Sequence, residues 1–259
     1  MPRIDAAVRS HLGRARGNNE DNFSLNGIFM REDQRNAGGL YKAVSDGKRQ
    51  LYAVCDGMGG LNKGEEASMH AAISLGALVS AGRRRFAERL QAFIDEVSAS
   101  LLTLGDGGRP PGSTLALVYF DDKYVKVAHL GDSRVYFKRE SMPLTQVTAD
   151  HSQAEWLLQQ GMIGQDAVDV HPSKNVLRRY LGAPVPEGRV PDVSPDTKLK
   201  RGDAFLLCSD GLSNMMNNHE IDQEISKGQS CADVCKALTN LALSRNGGDN
   251  ITVMMLRSC

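Results

Sequence analysis

The sequence predicts an α+β fold, and three observations carry that reading. Apolar runs of strand length recur along the chain, most clearly "LYAVC" (51–55), "STLALVYF" (113–120) and "AFLLC" (204–208). Two other segments space their apolar residues as helices do: Ala71, Ala72, Leu75, Leu78 and Val79, and then Phe86, Leu90, Phe93, Val97 and Leu101. Strands come in runs and helices in pairs, so helices are expected to lie on sheets of strands within one domain, 1–259. A chain of 259 residues is long enough for a real core.

In order along the chain, "IDAAVRS" (4–10) and "NFSLNGIFM" (22–30) alternate as strands do, and "LYAVCDG" (51–57) reads as a buried strand. Residues 31–48, polar and glycine-bearing, read as a surface excursion and a candidate partner contact. Asn62 is placed to cap the first helix, with Glu65 and Glu66 in its first turns. Arg83-Arg84-Arg85 opens the second and reads as a solvated face. Asp121-Asp122-Lys123 joins "STLALVYF" to "YVKVAHLGD" as a hairpin, and "SRVYFKR" (133–139) is expected as a third strand of that meander. The stretch 145–200 holds Pro172, Pro184, Pro186, Pro191 and Pro195 around one amphipathic piece at Trp156-Leu157-Leu158, which predicts a flap over the body. "GDAFLLCSDG" (202–211) is another buried strand, followed by a helix over about 231–244 and a terminal strand in "DNITVMMLR".

Charge narrows the function. Thirty-one basic and 31 acidic residues cancel, against a nucleic-acid or membrane-surface binder. No segment has a signal-peptide core or the length of a membrane span. Cys55, Cys208, Cys231, Cys235 and Cys259 form no C-x-x-C pair and read as reduced thiols, so a soluble cytoplasmic protein is expected.

Four Asp-Gly pairs occur. Asp46-Gly47 and Asp106-Gly107 sit in polar surroundings and read as turns, whereas Asp56-Gly57 and Asp210-Gly211 end apolar runs. With Asp21, Asp132 and Asp249 they make five acids where polar turns meet strands: "NNEDNF", "VCDGMGG", "HLGDSRVY", "LCSDGLS" and "GGDNITV". Gathered together, such acids repel and stay ionised only with cations among them. Oxygen donors without clustered His or Cys point to Mg²⁺ or Mn²⁺. Two such ions about 3.5–4 Å apart, bridged by one acid, would lower the pKa of a shared water and clamp a phosphoryl oxygen. Arg16, just before Glu20 and Asp21, suits the phosphate itself.

These residues, with "RGNNED", "TADHS" and "LLCSDGL" in the same order, resemble the metal-dependent Ser/Thr protein phosphatases of type 2C, the PPM family, over residues 4–257 and closest to its bacterial single-domain members. The resemblance implies two antiparallel sheets packed as a sandwich with antiparallel helix pairs outside, and metals in a cleft at one end. It implies Asp56 as the acid bridging both ions, Gly57 as a backbone-carbonyl ligand, Asp21 on one ion with Glu20 acting through water, and Asp210 and Asp249 on the other. Asp132 matches a contributor to a third ion, Arg16 the phosphate-binding arginine, and 145–185 the flap. Phosphorylated proteins, substrates of a cognate Ser/Thr kinase with a link to type VI secretion, are the implied partners of a monomer. Met58 stands where many eukaryotic members carry a histidine, and a thioether donates no proton; the leaving group's proton would then come from metal-bound water near Asp132 or from His151. Two rival readings remain at this point: a binding module that has lost catalysis, and a hydrolase of small phosphate esters.

Overall fold

Alternating burial along Ile4–His11 forms β1, and five buried residues, Asp21–Leu25, form β2. Then follow β3 (Leu40–Ser45), β4 (Arg49–Met58), α1 (Gly64–Ser74), α2 (Phe86–Thr103), β5 (Gly112–Ser113), β6 (Leu115–Asp121), β7 (Tyr124–Leu130), β8 (Arg134–Lys138) and β9 (Thr145–Gln146). After these come α3 (Gln153–Gln159), α4 (Gln165–Val168), β10 (Asp192–Val193), β11 (Thr197–Lys198), β12 (Ala204–Cys208), α5 (Asp210–Ser213), α6 (Asn218–Ser226), α7 (Cys231–Ser244) and β13 (Ile251–Ser258). The computed structural model describes residues 1–59, 63–105, 110–140 and 142–259. The expected Asn62 cap and Asp106-Gly107 turn lie outside the described residues.

The strands make two antiparallel sheets. One runs β3-β1-β13-β12-β8-β9; the other runs β10-β7-β6-β4-β2, with β11 also on β7 and β5 on β4. Each central strand has two apolar faces to bury, which produces three layers of core. Phe23, Val54, Val118, Phe205, Leu207 and Met254 fill the space between the sheets, where Phe120 meets Phe205 edge-on at 5.8 Å. The helices α1 and α2 cover the outer face of the second sheet through Ala71, Leu90 and Ile94. Across the molecule, α5–α7 cover the first sheet through Leu212, Ile221 and Leu238. The architecture is therefore an α/β/β/α sandwich.

Several expectations need correction. The 31–48 excursion contains β3, an edge strand paired with β1, held because Tyr41 packs its ring 5.0 Å from Phe23. Residues 133–139 do not continue the β6–β7 meander. At Gly131 the backbone turns through φ 112°, a conformation glycine tolerates, and β8 pairs with β12 in the other sheet. The first helix ends at Ser74 and continues as a 3-10 turn to Ala81. Strand β2 stops at Leu25, where Asn26 adopts φ 51°. Both ends of 145–200 belong to sheets, through β9 on β8 and β10 and β11 on β7, so only the part between them stands outside the sheets. All five cysteines are free and four are buried; Cys235 donates to the Ala7 carbonyl. Among the described residues no helix is long and apolar enough to cross a membrane.

Candidate metal centre

Antiparallel pairing of β2 with β4 sets Asp21 directly opposite Asp56. Asp21 is 1 % exposed; its Oδ2 accepts from Ser209 Oγ at 2.7 Å, and its Oδ1 is buried with no hydrogen-bond partner. From the first sheet, Asp210 opens α5, directly after the Ser209 that bonds Asp21, and accepts from Asn214 at 3.0 Å. Sequence patterning expected Asp210 at the end of a strand; it is the first residue of a helical turn. Asp249 lies just before β13 and accepts from Arg16 Nη2 at 2.8 Å. Asp132 lies in the crossing between β7 and β8, 9 % exposed.

Electrostatics tie these side chains together more closely than their sequence positions suggest. Burial first, with mutual repulsion added, drives the carboxyls of Asp21, Asp56, Asp132 and Asp210 upward. Asp21 is raised to about 7, with Asp210 and Asp249 as the repelling neighbours. Asp210 is raised to about 6 by burial and then by Asp249. Asp56 is pushed well above the carboxylate range by burial, then by Asp21, Asp210, Asp132 and Asp249. Asp132 is raised likewise, with Asp210 its first neighbour. Glu20 is raised by burial and then by Glu65. The five acids singled out in the sequence thus share one electrostatic neighbourhood, with Arg16 and Glu20 at its edge.

The glycines of the two apolar Asp-Gly pairs have a packing reason. A Cβ at Gly57 would lie 2.1 Å from the Gly64 carbonyl oxygen and 2.5 Å from that of Glu20. One at Gly211 would lie 2.0 Å from the Asn250 carbonyl oxygen. In each case a neighbouring backbone presses against the turn that carries the acid, and only hydrogen fits there.

These residues fit hard divalent cations: the donors are all oxygen, one buried oxygen of Asp21 lacks a partner, and the mutual repulsion asks for positive charge. A second cluster offers an alternative and fails. His129, His151 and Asp192 bring three ligand atoms within 4.8 Å of one another. However, the Gly131 N–H donates to His151 Nδ1 at 3.1 Å, so a neutral His151 carries its proton on Nε2, which faces Asp192 at 3.3 Å. No Nε2 lone pair is left for a metal. Burial, then neighbouring His129, lowers His151 to about 3. It is a neutral hydrogen-bonding post at the base of the flap, with its one N–H spent on Asp192.

Sequence reasoning passed over Asn250. Its Nδ2 donates to the carbonyls of Leu12 and Asn18, and its Oδ1 accepts from Glu20 N–H. It fastens the Arg16–Asp21 loop to β13, and its place beside Asp249 was the available signal. Beside the acids opens a groove of about 1040 Å³ whose walls include Asp132, Asp150, Glu155, Lys174 and Asp210.

The family model for Protein phosphatase 2C matches residues 32–244. The chain belongs to the protein phosphatase 2C family. A serine/threonine phosphatase (stp) of Listeria innocua is 31% identical over 263 residues, covering 98% of this chain and 95% of its own. Among solved structures, the serine/threonine phosphatase of S. agalactiae superposes with a TM-score of 0.83 at 26% identity, covering 98% of this chain and 99% of that one. PppA, described as a key regulatory component of T6SS in Pseudomonas aeruginosa, gives 0.77 at 27% identity, covering 99% and 98%. The catalytic domain of the serine threonine protein phosphatase PstP in complex with two manganese ions gives 0.76 at 26%, covering 100% and 99%. Those superpositions cover nearly the whole chain, so the two-sheet sandwich described above is shared with them.

Proposed function

We propose that this protein phosphatase 2C member removes phosphate from serine and threonine of proteins at a dinuclear Mn²⁺ or Mg²⁺ centre held by Asp21, Asp56, Gly57, Asp210 and Asp249. The observation that carries the reading is the set of acids drawn from both sheets whose burial and mutual repulsion outweigh the help of the nearby guanidinium groups, Arg16 at Asp249 and Asp210, and Arg134 at Asp132. When bound, two such ions supply Lewis-acid polarisation of the phosphoryl group and lower the pKa of an attacking water. Asp56 would serve both ions, Asp21 and Glu20 one of them, Asp210 and Asp249 the other, and Asp132 would serve a third. Arg16, on an exposed arm, turns its guanidinium fork from Asp249 to the substrate phosphate. Neither Met58, which has no proton to give, nor His151, whose N–H is engaged, serves as general acid.

Phosphoserine and phosphothreonine arise through kinases, so the substrates are products of a Ser/Thr kinase; the likeness to PppA supports a type VI secretion setting. We further infer a monomer with one catalytic domain over 1–259, a reading supported for the domain by a relative that aligns with 98% of this chain and 95% of its own. The reduced cysteines support a cytoplasmic location.

Hydrolysis of a phosphothreonine peptide tests the reading. Turnover is expected with Mn²⁺, absent in EDTA, and about a thousandfold or more lower in Asp56→Asn, since several kcal/mol of charge stabilisation go with the ions. Turnover that survives EDTA refutes it.

A further inference from the structure

The geometry points to Glu65 as a further positioning residue of the metal centre, paired with Glu20 on the side where Gly57 meets α1. The inference rests on the ligand assignment proposed above. Glu65 is only 8 % exposed. One of its carboxylate oxygens, Oε2, is buried and accepts no hydrogen bond. The other stands 3.6 Å from Arg35 Nη1, an ion pair too long for a hydrogen bond. A buried carboxylate this poorly satisfied is costly to keep unless its charge has work to do.

Its surroundings show what that work is. Glu20 ends the loop that leads into β2, and its carboxylate lies against the first residue of α1: a Cβ at Gly64 would meet the Glu20 carboxyl carbon at 2.8 Å. The backbone of Glu20 is fixed there, its carbonyl accepting from Gly57 N–H at 3.1 Å and from Ser68 Oγ at 2.5 Å. Glu65 follows Gly64 directly, and its charge is the largest acting on Glu20. Both side chains therefore belong to the junction where Gly57 meets Gly64 and Glu20; Arg35 stands by Glu65, while Arg16, which also bears on Glu20, is hydrogen-bonded to Asp249. The pair keeps a net negative charge, adjacent to Asp21 and Asp56.

Glu65 holds no ion directly. It adds charge and an open acceptor oxygen behind Glu20, fixes the Glu20 carboxylate through repulsion from one side, and is itself moderated by Arg35. Such supporting groups commonly change metal affinity 10–100-fold. Opposite effects then follow from the two members of the pair. Removing the Glu65 charge weakens divalent-ion binding; removing the Arg35 charge strengthens it. An ion pair that only fastened the loop before β3 to α1 would behave differently, because either substitution would break the same tie.

The test is calorimetric titration of the full chain with Mn²⁺ alone, with thermal melting in EDTA alongside. Glu65→Gln is expected to weaken Mn²⁺ binding by about tenfold at one of two sites, while its melting temperature in EDTA holds or rises as a buried, under-paired charge is lost. Arg35→Gln is expected to tighten Mn²⁺ binding by a few-fold. Affinity within twofold of the parent in Glu65→Gln, or weakening by both substitutions alike, overturns the inference. If Glu65→Gln does not fold, Arg35→Gln decides alone: tighter binding supports the role, unchanged or weaker binding ends it. Asp56→Asn tests the underlying ligand assignment separately. Mn²⁺ binding that persists in Asp56→Asn removes that assignment, whereas its loss there beside an unaffected Glu65→Gln removes only the role of Glu65.

Discussion

Asp21 carries, in one side chain, the conflict on which the site depends. Its carboxyl is raised to about 7, and that of Asp210 to about 6, from an ordinary 3.8. Between about pH 4 and 7 the folded, metal-free chain therefore holds protons that the unfolded chain has released. Stability contributed by these groups is complete below the unfolded value and falls as pH rises through the folded one. In EDTA, the parent protein should lose melting temperature between pH 5.5 and 7.5 by more than Asp21→Asn does; a larger loss in the variant would refute the burial argument. Arg16 gives a second prediction. Charge-assisted hydrogen bonds to a phosphate are worth about 1.5–3 kcal/mol, so Arg16→Ala should lower kcat/KM roughly 10–100-fold, without weakening Mn²⁺ binding in a calorimetric titration. At this scale the sequence was readable for the acids, since each sits in a short motif beside an apolar run. Asn250 and Ser209 were not, because a side chain that bonds distant backbone or another side chain leaves no periodic trace.

Elements were legible where one period dominated. The i, i+4, i+7 stripe from Phe86 matches α2, which buries Phe86, Leu90, Phe93, Val97 and Leu101, and the run 231–244 matches α7 residue for residue. Helix α6 went unforeseen although Asn217 and Glu220 form a reciprocal capping box at its start; only two of its nine residues, Ile221 and Ile225, are buried, too few to show a stripe. Partner choice was the other obscure property, because the alternation in 133–139 fits either sheet and only the turn at Gly131 sends β8 to β12. The junction of β4 with α1 makes the element-scale prediction. Gly57→Ala would press a methyl into two carbonyl oxygens, those of Gly64 and Glu20, and backbone cannot yield as a flexible side chain can. The helix must move away from the strand, carrying Glu65 with it and shifting the loop of Glu20. We expect a melting temperature well below the parent's and Mn²⁺ binding weakened by tenfold or more. Gly47→Ala, whose Cβ would meet nothing closer than 3.4 Å, should alter neither in the same measurements.

Across the whole molecule the proposed ligands divide between the sheets. Asp21 and Asp56 stand on paired strands of one sheet, while Asp210 and Asp249 follow β12 and precede β13 of the other. Ions bound among them would tie the two layers at one end of the sandwich, where Phe120 and Phe205 tie them through the core. The two ties should be thermodynamically separable. Ligand that binds only the folded chain stabilises it by about 2.7 kcal/mol at one hundred times its Kd. For a chain of this size that is roughly 5–11 °C in Tm per site, at about 2–4 °C per kcal/mol. Phe205→Ala, by contrast, removes a ring that is 3 % exposed and should cost about 3–5 kcal/mol, with or without metal. Because that core contact is distant in kind from the acids, sharing no hydrogen bond with them, the two effects should add. The expected pattern in thermal melts is a Mn²⁺-induced rise of equal size in the parent and in Phe205→Ala, and no rise in Asp56→Asn. A Mn²⁺ rise that vanishes in Phe205→Ala would mean that the two layers separate once the core contact is lost, and that the acids meet only because the aromatic packing holds them together.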